Sequence, residues 1–147
     1  MAMDFNEKKE IMTDVLLNDE FSRHLGIEIL NFEENFIKAR IPFDKKLINN
    51  YGSLHGGALY SFADILGGTV ACVVSGHFCT TVEGSMNYLE PAVSKEYIYC
   101  EAKKVRAGSH LIVVKVKIKN DDGKLLDDGS FTFYSSNYEL SKRVKAE

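Results

Sequence analysis

Asp64 stands in the most apolar segment of this chain, residues 57–75, among Ala58, Leu59, Phe62, Ala63, Ile65, Leu66, Val70, Ala71, Val73 and Val74. A buried carboxylate without partners is costly, so a sequence that keeps one has given it either a hydrogen-bond donor or a task. Donors are at hand in Tyr60 and Ser61, one turn back on the same helix.

His55-Gly56-Gly57 opens the same segment. Alone, the two glycines read as a tight turn entering a helix. With the aspartate following, they read as the other half of a site. Glycines at a helix start let a ligand approach N–H groups that have no intrahelical acceptor and sit at the positive end of the dipole. A carbonyl oxygen becoming an oxyanion is the group such donors stabilise. Gly56 and Asp64 are separated by about 12 Å along a helix axis, too far for one helix to bring both to one carbonyl carbon. Two copies packed antiparallel would set the Gly56 of one opposite the Asp64 of the other, which predicts a dimer with its sites at the interface.

The surrounding elements must hold that helix. Met12, Val15 and Leu16 give helical spacing over residues 5–17, and a short helical piece over 20–24 stops at Gly26. Residues 27–31 and 36–41 read as strands joined by Glu33-Glu34-Asn35, with Pro42 as the stop and an irregular loop over 43–54. After the central helix come strands over 80–89, 97–106, 111–119 and 125–138. The third of these alternates, Val114, Val116 and Ile118 against Lys115, Lys117 and Lys119, as in a sheet with one wet side. Asp121-Asp122-Gly123 supplies a hairpin turn. A helix apolar on nearly every face is buried on all sides, and here only the sheet is large enough to wrap it. The class is α+β, with about six antiparallel strands around one long buried central helix. Residues 1–147 form a single domain, its core over about 21–138 and an N-terminal helix over about 4–18.

At 147 residues the chain can bury a core without metals or disulfides. A net charge of −3 argues against a general nucleic-acid binder. Cys72, Cys79 and Cys100 are an odd count without C-x-x-C spacing, which favours free thiols in a reducing compartment. The first ten residues hold no apolar signal core, and the longest apolar stretch, around 65–74, falls short of the about 20 residues a span needs. The expected location is cytoplasmic, with no membrane partner.

The run Asn49-Asn50-Tyr51-Gly52-Ser53-Leu54-His55-Gly56-Gly57, with Asp64 seven residues on, resembles the signature of the phenylacetate-degradation (PaaI-like) type of hotdog thioesterases in the 4-hydroxybenzoyl-CoA thioesterase superfamily. The order of elements matches over about residues 21–138. The resemblance implies an acyl-CoA substrate, with Asp64 as general base or nucleophile and the Gly56 N–H polarising the thioester carbonyl. It implies Asn49 and His55 orienting substrate or water, and Thr81 helping to hold the water. It also implies a homodimer or dimer of dimers, and no cofactor beyond the coenzyme A of the substrate. Relatives carry Gly followed by Arg or Lys between the fourth and fifth strands; this chain has Gly108-Ser109-His110, so Lys103, Lys104 and Arg106 are the candidates for the coenzyme phosphates. Gly57, Phe62 and Ile65 are the other expected substrate-binding residues, with Phe62, Ile65 and Leu66 lining the acyl pocket.

Other constellations are weaker. Cys79 near His77 is sequence proximity without triad geometry, His24, His77 and His110 lack metal-ligand spacing, and Asn120-Asp121-Asp122-Gly123 lacks the closing Glu of a calcium loop. Gly67-Gly68 reads as close packing or as room for an acyl group. A non-catalytic acyl-CoA-binding or regulatory hotdog protein is the main alternative, and a hydratase or dehydratase the second; neither accounts for both His55 and Asp64. The acyl group, and coenzyme A against acyl-carrier protein, stay open.

Overall fold

The computed structural model describes residues 2–143; the ends of the expected 1–147 domain, residue 1 and residues 144–147, lie outside the described residues. The elements in chain order are α1 (Phe5–Asn18), α2 (Glu20–Leu25), β1 (Glu28–Glu33), β2 (Phe36–Pro42), α3 (Gly56–Ser75), β3 (His77–Tyr88), β4 (Tyr97–Ala107), β5 (Leu111–Lys119) and β6 (Leu125–Glu139). Every strand pairing is antiparallel, in the order β1-β2-β4-β5-β6-β3. The α+β expectation therefore holds, strand for strand. The loop over 43–54 is less irregular than its sequence implied: it contains a 3-10 turn at Lys45–Leu47 and a bridge between Ile48 and Leu54.

Period-two alternation decides which face of the sheet meets α3. Ile98, Cys100 and Ala102 of β4, Ile112, Val114, Val116 and Ile118 of β5, and Phe131 and Phe133 of β6 are fully buried. They pack against Leu59, Phe62, Leu66, Val70 and Val73 of α3. Each fully buried side chain of this size contributes about 1.5–3 kcal/mol. On the other face, Lys119 pairs with Glu101 at 3.3 Å and Arg40 with Glu28 at 2.9 Å, both partly solvated. Gly76, at φ 75°, ends α3 in the left-handed region and turns the chain directly into β3.

Two expectations need correction. Within the single chain α3 is not buried all round: Gly57, Ser61, Asp64 and Gly68, spaced 4, 3 and 4 residues apart, form a stripe that is exposed or half-exposed, with Ala58 and Ile65 beside it. Only the opposite side lies on the sheet. And α3 is, by length and composition, apolar enough to cross a membrane, with a mean hydropathy of 1.5, whereas the sequence reading found only a shorter stretch. Its apolar side is nevertheless taken up by the sheet.

Candidate active site

His55 caps α3. Its Nδ1 accepts the Gly57 N–H at 3.0 Å, and its carbonyl accepts from Ala58 and Leu59 at 3.0 and 3.2 Å. The capping imidazole is thus an acceptor, which fixes the proton on Nε2. Gly56, the first helical residue, has an N–H that meets no acceptor among the described residues. Its carbonyl accepts the Tyr88 hydroxyl at 2.8 Å. A Cβ at position 56 would lie 3.3 Å from the Tyr88 ring, so a glycine there lets strand β3 close against the helix start.

Asp64, two turns along, accepts the Thr81 hydroxyl at 2.6 Å on Oδ1. Sheet register accounts for this contact. Thr81 pairs with Phe133, whose ring is in the core, so Thr81 also points inward to α3. A bulge between Thr81 and Glu83 follows, the kind of irregularity that re-aims side chains beside a site. The donors expected for Asp64 do not serve it. Ser61 donates to the Gly57 carbonyl at 2.9 Å, and Tyr60 packs its ring on Phe131 at 5.1 Å.

Asn49 ties its own loop together, accepting from Tyr51 and Ser53 N–H at 2.9 and 3.2 Å and donating to Ser53 Oγ at 3.1 Å. That loop walls a cavity of about 490 Å³ with Gly56, Leu59, Tyr88 and Pro91. Asn49 and Gly56 therefore meet at one cavity, while Asp64 and Thr81 meet a further two turns along α3.

The remaining candidates scatter. Phe62 is fully buried in the core and Ile65 is half-exposed beside the open stripe. Lys103 points outward from the sheet between Phe36 and Lys115, Lys104 faces Val73 and Val74 at the far end of α3, and Arg106 is exposed at a bulge. His110 stacks on Tyr134 at 5.9 Å. Gly67 and Gly68 seat the Phe133 ring, with a Cβ at Gly67 3.0 Å from it, so packing explains the pair. His77 Nδ1 is engaged with the Ser75 carbonyl at 3.0 Å and forms no dyad with Cys79, whose thiol is lowered to about 7 by Cys72 first and by Ser75 and His77. The Asp121 carboxylate accepts from Ser94, Glu96 and Tyr97 at 3.0, 2.7 and 3.2 Å, and these donors hold it below the ordinary carboxylate range. No metal-holding group of three or more His, Cys, Asp or Glu side chains occurs among the described residues.

Two residues escaped the sequence reading. Tyr88, on the last turn of pleat in β3, carried no pattern signal. Asp127 did: it occupies an inward slot of β6, in phase with Gly129, Phe131 and Phe133. It is fully buried, neither oxygen has a partner among the described residues, and burial raises its carboxyl to about 7.

Residues 51–126, half of the chain, match the sequence model of the family described as the thioesterase superfamily. A protein of Saccharolobus solfataricus that carries an esterase name is 34% identical over 108 residues, covering 73% of this chain and 76% of that one. The acyl-coenzyme A thioesterase PaaI of Escherichia coli is 26% identical over 107 residues, covering 73% and 76%. Its structure matches with a TM-score of 0.85 at 19% identity, over 91% of this chain and 96% of its own. A Streptococcus pneumoniae protein described as a hypothetical thioesterase, solved with coenzyme A, matches with a TM-score of 0.74 at 23% identity, over 89% and 98%. Both solved structures share the fold, the hotdog arrangement of a six-stranded antiparallel sheet around one long helix.

Proposed function

This chain belongs to the thioesterase superfamily and is a thioester hydrolase, and from that premise we propose that it cleaves an aryl- or medium-chain acyl-coenzyme A to the free acid and coenzyme A. The observation that carries the mechanism is the Asp64 carboxylate, held by Thr81 at 2.6 Å on the open stripe of α3. A donor fixes one oxygen and leaves the other for water or for the thioester carbon. The unpartnered Gly56 N–H at the start of the same helix is suited to the thioester oxygen as it gains charge.

The two groups act across a pair of subunits. The stripe of Gly57, Ser61, Asp64 and Gly68 is narrow enough in side-chain volume for a second α3 to approach, and β3 is a sheet edge with Val82 exposed on it and Leu89 exposed just beyond its end. In an antiparallel pair, Asp64 of one copy takes a proton from water as that water attacks the carbonyl carbon. Gly56 of the other copy stabilises the oxyanion, and collapse expels the coenzyme A thiolate, which takes up the proton that Asp64 gained. Alternatively Asp64 itself attacks the carbonyl carbon, expelling the thiolate and leaving a mixed anhydride that water then hydrolyses to the free acid and the Asp64 carboxylate. The coenzyme A held by the Streptococcus pneumoniae protein supports this carrier, and Lys103, Lys104 and Arg106 supply cations on two faces of β4.

The test is thiol release from phenylacetyl- and hexanoyl-coenzyme A by wild type and Asp64→Asn. Loss of about 10²–10⁴ in kcat, with the variant still assembled as wild type is, is the expected result. No turnover of either ester, with acyl-coenzyme A binding unaffected by the substitution, would favour a binding protein instead.

A further inference from the structure

Asp127 has no exposed surface and no hydrogen-bond partner among the described residues. Register sets it between Ile118 of β5 and Tyr88 of β3. Residues directly opposite across an antiparallel pair share a face, with Cβ atoms about 5 Å apart. Tyr88 in turn reaches α3, donating to the Gly56 carbonyl at 2.8 Å. That carbonyl and the Gly57 N–H belong to one peptide group, and the N–H is held by His55 Nδ1 at 3.0 Å. The peptide is therefore clamped at both ends, by an imidazole above and a phenol below. Fixing it fixes the Gly56 backbone, and with it the direction of the Gly56 N–H.

We propose that Tyr88 and Asp127 are a positioning pair for the oxyanion donor: Tyr88 holds the first peptide of α3, and Asp127 must stay uncharged for that hold to persist. This rests on the reading of Gly56 as the donor to the thioester oxygen. An ionised Asp127, opposite Tyr88 in the register, would be a stronger acceptor than the Gly56 carbonyl and would draw the hydroxyl from it; a neutral acid competes weakly. The surroundings favour the neutral acid. Tyr88 faces it from β3, Cys100 lies close on β4, β5 presents Ile118, and Tyr60 of α3 stands beyond Tyr88. Glu90 and Lys124, near the same strand end, pair with each other at 3.4 Å, and Asp128 is turned to the other face opposite Lys117. Burial, with no cation among the described residues to oppose it, lifts the Asp127 carboxyl to about 7.

The experiment is a kcat and KM profile from pH 5.5 to 8.5 on phenylacetyl- and hexanoyl-coenzyme A, for wild type, Asp127→Asn and Tyr88→Phe. Wild type should lose about tenfold in kcat through an alkaline limb, the worth of one hydrogen bond, with KM little changed. The limb should vanish in Asp127→Asn, and Tyr88→Phe should sit at the low kcat across the range with no limb of its own. A limb that persists in Asp127→Asn, or a Tyr88→Phe enzyme that matches wild type, overturns the pair. If Asp127→Asn does not fold, the limb in Tyr88→Phe decides alone. A wild type inactive on both esters overturns the pair together with the thioesterase substrate on which it rests, an outcome separate from an active enzyme whose limb is untouched.

Discussion

Replacing Asp127 with asparagine should remove a pH dependence from the stability of the fold. In the folded chain the carboxyl titrates at about 7 because it is fully buried without a partner; in the unfolded chain it titrates near the ordinary aspartate value of about 3.9. Between those values the folded state keeps a proton that the unfolded state has released, so unfolding free energy falls as pH rises. The slope is about 1.4 kcal/mol per pH unit, and about 4 kcal/mol is lost by the time pH has passed through the folded value. The contribution is fully present below about pH 4 and gone above about pH 8. Other acids titrate in the same window, so the informative quantity is the difference between wild type and Asp127→Asn. Urea unfolding at half-unit steps from pH 4.5 to 8.5, at one fixed protein concentration, gives that difference directly. Asparagine cannot ionise, so the constant cost of its amide drops out of the slope. A difference that stays flat across the range would refute the reasoning, since it would mean that the carboxyl meets water or a donor in the folded chain.

Thr81→Val should keep the fold and lower kcat by about 10- to 100-fold, the worth of a hydrogen bond to a carboxylate, with Thr81→Ser restoring most of it in the same thiol-release assay. Gly84→Ala should destabilise by about 1–3 kcal/mol through overpacking. A Cβ there would fall 2.6 Å from the Phe131 ring and against the Tyr60 hydroxyl, and a calorimetric Tm within a degree of wild type would contradict that reading.

The sequence made the elements legible because period and composition agree within each. β5 alternates strictly between Val114, Val116, Ile118 and their lysine neighbours, and the burial pattern follows it residue by residue. α3 was legible as a helix but not in its environment. A helix apolar on nearly every side carries no record of which side the sheet takes, and the open stripe of Gly57, Ser61, Asp64 and Gly68 emerged only from packing. Asp64 was legible as the residue needing an explanation, yet its donor came from 17 positions away. Local candidates lost because Ser61 had a nearer carbonyl one turn back and Tyr60 found an aromatic partner. Thr81 entered through family resemblance, and register supplies the reason it arrives. The phase of Asp127 with Gly129, Phe131 and Phe133 marks it as the inward member of its Asp-Asp step, since one carboxylate must point inward and the other outward; that it meets no partner there among the described residues came only from packing.

The sheet order has a consequence in time. β3 follows α3 at once in the chain, but its pairing partner is β6, which comes sixth among the strands. At a synthesis rate of roughly 5–20 residues per second, β3 waits some seconds on the ribosome with both backbone edges unpaired while β4, β5 and β6 are made. Long-range pairings of this kind close slowly because the loop entropy must be met before any contact rewards it. Thr81 and Tyr88, the β3 side chains that hydrogen-bond Asp64 and the Gly56 carbonyl, therefore reach their places late. A nascent chain cut short within β5 would hold the helix, its aspartate and its glycines, but no strand on which to hang the groups that aim them.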